Sequence, residues 1–166
     1  MNKIMLSEIN DGDIVSVLKI PSSSWIDTLI SFFERSPIFH SFIAVWIDEE
    51  LHALQMDPQK HNLVPIQDYK NNPLHVIRRP SFVTFNKEAI IKEGLKENYS
   101  FLGALAAGLQ EYDQKIKYNS SNKFCSQFCI WVWAEGGYNH FSSTILNPAM
   151  LEKEAIKNNL TVLEVF

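Results

Sequence analysis

Two apolar runs divided by an acidic turn constrain the fold of this chain more than any other feature. Phe39 to Ile47 is rich in aromatic and β-branched residues, Asp48-Glu49-Glu50 interrupts it, and Leu51 to Met56 resumes the apolar character. This spacing predicts a β-hairpin with an acidic turn. On its first strand His40, Phe42, Ala44 and Trp46 share one face, and Ser41, Ile43, Val45 and Ile47 share the other. Further strands are expected at Ile14–Leu18, after the turn Asp11-Gly12-Asp13, and at Thr161–Val165. Short extended pieces are expected at Leu63–Ile66 and His75–Arg78.

Helical spacing fills much of the rest. Pro21-Ser22-Ser23-Ser24 breaks the chain before Trp25, Leu29, Phe32 and Phe33, a stripe that Ser36-Pro37 ends. Asn86 to Asn98 and Ser100 to Leu109 are expected helices. Cys125 to Glu135 is a strongly apolar one, stopped by Gly136-Gly137. Asn147-Pro148, a cap followed by proline at the first helical position, opens a last helix to about Lys157. The sum is an α+β fold, a mainly antiparallel sheet packed against helices.

The chain's 166 residues, 46% of them hydrophobic, suit one folded domain spanning 1–166, without repeats. A formal net charge of −4 gives no basic footprint, so nucleic acid is not an expected partner. No apolar run approaches the roughly 20 residues that span a bilayer, so stable membrane insertion is not expected. The start of the chain does not read as a signal peptide, and a cytoplasmic location is expected. Oligomeric state leaves no mark on the sequence.

Chemistry centres on the two cysteines, Cys125 and Cys129. Four positions apart in sequence on one helix, they are poorly placed to bridge each other, so free thiols are expected. Cys125 begins the helix, where unbonded N–H groups and the positive dipole end stabilise a thiolate and can hold an oxyanion. Lys123 adds positive potential in this reading. Cys129, inside Phe128-Cys129-Ile130-Trp131, has an apolar surrounding that disfavours charge. The alternative is that both are small buried hydrophobes.

A nucleophilic cysteine needs a base, and five histidines are candidates: His40, His52, His61, His75 and His140. His40 starts the hairpin strand. There it fits two uses, a base held rigidly toward a helix terminus or a half-buried strand histidine bonded to backbone. His61 and His140 read as loop residues. No histidine or cysteine spacing suits zinc, no glycine-rich loop suits a phosphate, and no cofactor is expected. Glu152 and Glu154 read as a solvated helix face.

Several segments, in order, resemble the circularly permuted NlpC-type, papain-like cysteine hydrolases of the YiiX/YebB kind, distant relatives of the lecithin:retinol acyltransferases. Asp11-Gly12-Asp13-Ile14-Val15 is similar to the family's Gly-Asp opening strand. Ser36-Pro37-Ile38-Phe39-His40 resembles its Ser-Pro-x-x-His strand, and Phe124-Cys125-Ser126-Gln127-Phe128 its Cys-Ser-Glu-Phe helix start. Tyr99-Ser100-Phe101-Leu102 resembles its Tyr-Asp-Phe segment, and Leu146-Asn147-Pro148 part of its closing one. The resemblance implies a papain-like fold with Cys125 as nucleophile and His40 as base. It places the third, orienting residue on the strand after the hairpin turn, where Gln55 stands in place of the family's frequent Glu. Gln127 and Ser100 are further departures from the usual Glu and Asp.

The activity so implied is hydrolysis of an amide or ester bond in a peptide, amide or acyl-ester substrate. The same dyad suits acyl transfer to an amine or lipid, and the loss of the orienting carboxylate suits a binding module that kept the fold. Trp25, Phe39, Tyr99 and Ser126 are the candidate substrate contacts, with core packing the alternative for the three aromatics.

Overall fold

In a computed structural model the described residues are 1–19, 37–100, 104 and 123–166. The expected helix from Trp25 to Phe33, Trp25 itself, and nearly all of that expected at Ser100–Leu109 lie outside them. Seven strands form one sheet: β1 (Asn2–Ile4), β2 (Ile14–Leu18), β3 (Ile38–Ile47), β4 (Glu50–Leu54), β5 (Leu63–Pro65), β6 (Leu74–Ile77) and β7 (Val162–Val165). Their order is β1-β7-β6-β2-β3-β4-β5. Every pairing is antiparallel except β1 with β7, so the sheet is mixed. Three α-helices occur among the described residues: α1 (Lys87–Gly94), α2 (Cys125–Glu135) and α3 (Pro148–Lys157). The molecule is α+β.

The hairpin closes through Asp48 and Glu49, both at positive φ (47° and 66°), the two-residue geometry that matches strand twist. Alternation along β3 then sends Phe42 and Ala44 into one core and Ile43 and Val45 into another. Ile43 and Val45 meet the helices, through Phe128, Cys129 and Trp133 of α2 and Leu151 and Ala155 of α3. The opposite face is covered by the chain itself. After β5 the segment from Ile66 to Asn72 crosses back to β6, burying Ile66 and Tyr69, and Asn72 Nδ2 donates to Leu18 C=O at the end of β2.

The Gly-Asp turn anchors α2. Gly12 has φ +82°, and its C=O accepts from the indole N–H of buried Trp133 at 2.8 Å. Asp13, also buried, takes the Arg78 guanidinium at 2.6 Å and the backbone N–H groups of Arg79 and Asn10. Such a carboxylate is expensive to bury and is compensated by several donors at once.

Three expectations about the fold change. Strand β1 was not anticipated, and Glu152 is not solvated: it is buried on α3, both its oxygens 3.1 Å from His75 Nδ1 on β6. A helix reading from spacing alone put it on the polar face, but β6 brings a partner to that face. The helix expected over Asn86–Asn98 is also shorter, capped by the Asn86 side chain and ending at Gly94.

Candidate active site

His40 enters on β3 and is 6% exposed, beside Phe39 and Phe42. Its Nε2 lies 2.9 Å from Oε1 of Gln55, the residue directly after β4. Antiparallel pairing of β3 with β4 makes this meeting possible, because the strands run side by side from the acidic turn. Gln55 is fully buried. Its backbone N–H donates to Asn62 C=O at 2.8 Å, and the Asn62 side chain donates in turn to the carbonyls of Gly94, the last residue of α1, and Glu97 beyond it. Gln55 is thus held through a loop pinned to a helix end.

The direction of the His40–Gln55 bond follows from a third contact. Gln55 Nε2 donates to His61 C=O at 3.0 Å, and a carbonyl can only accept. The other amide atom, facing His40, is therefore the oxygen. His40 must donate to it, so the neutral ring carries its proton on Nε2, and Nδ1 is the basic nitrogen.

Tyr69 completes this group and has no counterpart in the sequence reading. Its O–H donates to the same Gln55 oxygen at 2.5 Å, and its ring stacks on that of His40 at 5.9 Å between centroids. Burial pushes the phenol well above its ordinary range, with the charges of Asp57 and Cys125 acting in the same direction. The one hint in the sequence is an aromatic residue within the polar run Gln67-Asp68-Tyr69-Lys70.

Cys125 is the first residue of α2 and 7% exposed, in a small cluster with Phe124 and Ile145 against which Tyr99 packs. The N-cap, Phe124, has no side-chain acceptor, and the first ladder bond of the helix is Phe128 N–H to Phe124 C=O. The N–H groups of residues 125 to 127 thus precede that ladder, as in any helix start. Neither cysteine forms a disulfide, and burial pushes Cys129 well up, with the nearby Cys125 charge adding to it.

Tyr69 is the side chain common to the two groups, hydrogen-bonded to Gln55 and within electrostatic reach of Cys125. Tyr99, bridged to Lys123, packs against the cluster that holds Cys125, and Phe39 stands next to His40.

Ser126 does not fit the part expected of it. It is fully buried and donates to Leu146 C=O at 2.6 Å, which ties the start of α2 to the start of α3 and leaves no surface for substrate. Lys123 is also not a source of positive potential: its ammonium is paired with Glu97 and lies 4.7 Å from the centre of the Trp131 ring. It fastens the chain just before α2 to Glu97 instead. Among the described residues no three histidine, cysteine or acidic side chains converge in a way that would hold a metal ion, and no helix is long and apolar enough to cross a membrane.

Comparison with protein-family models and with curated proteins returned no match.

Proposed function

We propose that the chain is a cysteine-dependent hydrolase of permuted papain-like type, with Cys125 as nucleophile, His40 as base and Gln55 orienting the base. The observation that carries this reading is the His40–Gln55 hydrogen bond, whose polarity, fixed by His61, leaves Nδ1 as the proton acceptor. Orienting a base through its other ring nitrogen is the arrangement that cysteine and serine nucleophiles share.

The reaction follows from these parts. His40 Nδ1 takes the thiol proton, and the thiolate attacks the carbonyl carbon of an amide or acyl ester. N–H groups at the start of α2 receive the oxyanion. Collapse of the tetrahedral intermediate expels the amine or alcohol, protonated by His40, and leaves a thioester. Water deprotonated by His40 then attacks the thioester, and the carboxylic acid departs as the thiolate re-forms. An amide oxygen orients the imidazolium without adding a countercharge, so Gln55 stabilises it less than a carboxylate would. The substrate class is a peptide, amide or acyl ester, and the cytoplasm is the proposed location.

The test is thiol alkylation with iodoacetamide against pH, read by peptide mass spectrometry. Cys125 is expected to react in the folded protein with a profile extending below the ordinary thiol range, and His40→Ala to remove that extension. Cys129 is expected to react only after unfolding. If Cys125 instead titrates at an ordinary thiol value and Cys125→Ala leaves hydrolysis of peptide and ester panels unchanged, the reading fails.

A further inference from the structure

An amide can orient a histidine only when the amide is itself held. Gln55 Oε1 has two lone pairs, and two donors approach it, His40 Nε2–H and Tyr69 O–H. The terminal torsion of glutamine is soft, and in a fully buried site an open lone pair would favour any rearrangement that filled it. The phenol closes that option. Its ring also bears on the base directly, stacked on His40 with an interplanar angle of 23° and on Phe42 at 5.3 Å. Tyr69 is fixed in turn by Lys60, whose ammonium lies 4.1 Å from the ring centre and is paired with Asp68 at 3.7 Å.

We infer that Tyr69 is a positioning residue for the base: its hydroxyl holds the Gln55 oxygen and its ring holds the His40 plane, so that His40 keeps its proton on Nε2. This inference rests on the reading of Cys125 and His40 as a dyad only for its catalytic consequence. The phenol touches no reacting atom. Burial keeps it protonated, and so a donor, throughout the neutral range.

The experiment uses the full chain and the variant Tyr69→Phe, which keeps the ring and deletes the hydroxyl. Nitrogen-15 NMR of the imidazole reports the tautomer, and iodoacetamide reports the Cys125 profile. The wild-type His40 is expected as a single Nε2–H tautomer. In Tyr69→Phe one bond, Gln55 Nε2 to His61 C=O, holds the amide against its soft terminal torsion in place of two, so a second tautomer is expected beside the first. Cys125 is expected to alkylate about tenfold more slowly at neutral pH, the rate equivalent of one lost hydrogen bond. Phe42→Leu loosens packing against the same ring without touching the hydroxyl, and should leave the tautomer unchanged. A single Nε2–H tautomer in Tyr69→Phe would overturn the inference, as would an equal disturbance in Phe42→Leu. Failure of the dyad has a different signature: His40→Ala would leave Cys125 alkylation as in the wild type, whatever the tautomer in Tyr69→Phe.

Discussion

A single uncharged side chain, Gln55, holds two buried donors in place, and its removal should be felt at both. In Gln55→Ala the His40 N–H and the Tyr69 O–H lose their acceptor together, and the His61 carbonyl loses its donor. Unsatisfied buried polar groups cost about 1–3 kcal/mol each, partly relieved by water entering the space. A loss of about 3 kcal/mol in urea unfolding is expected, with Cys125 alkylation falling toward the His40→Ala level. Gln55→Glu should lose less stability, since a carboxylate still accepts from both donors. At this scale the sequence was readable where strand alternation and hairpin register act, because they decide that a residue just past β4 comes beside one near the start of β3. Tyr69 escaped because a crossing segment, not a local period, brings it to His40. Ser126 differs from its expected part because, one position after Cys125 on the helix, its side chain points in another direction, into the contact with Leu146.

Elements with local signals were legible close to their ends. Asn147-Pro148 does open α3, with the Asn147 side chain accepting from Met150 N–H at 2.7 Å. Asn86 caps α1 in the same way. The apolar run at Cys125 is a helix ended by Gly136, and it packs on the sheet face beside α3. Strand β1 carried no such signal: its three residues are ordered by pairing with β7, from the far end of the chain. The same lack of local warning hid the tie between α3 and β6. His75 and Glu152, with side chains only 15% and 11% exposed, form the polar link between these elements. His75→Ala would leave the Glu152 carboxylate buried without this partner. It is expected to cost about 2 kcal/mol in chemical denaturation, in the range for an orphaned buried group. His75→Gln, which restores a donor, should recover part of it.

The sheet buries residues on both faces, one under helices and the other under its own crossing segment, and this double covering sets how the whole molecule responds to alkali. Cys129 belongs to the helical layer and Tyr69 to the crossing segment, each buried against the sheet, and burial is the leading cause that pushes both acids up from ordinary values of 9.0 and 10.0. Above those values the unfolded chain releases protons that the folded chain retains. The folded state then binds more protons than the unfolded one, and stability falls as pH rises. Below pH 9 both groups are protonated in either state and contribute no slope. Passing 9.0 the Cys129 contribution begins, and passing 10.0 that of Tyr69 joins it, each at most about 1.4 kcal/mol per pH unit. The urea midpoint is therefore expected to be insensitive to these two groups up to pH 9 and to drop with increasing steepness between pH 9 and 11. Cys129→Ala removes the first contribution, so its decline, measured relative to its own midpoint at pH 8, should begin about one pH unit later. A decline with the same onset in Cys129→Ala would show that the buried thiol does not drive it, and that the helical layer opens before Cys129 has to ionise.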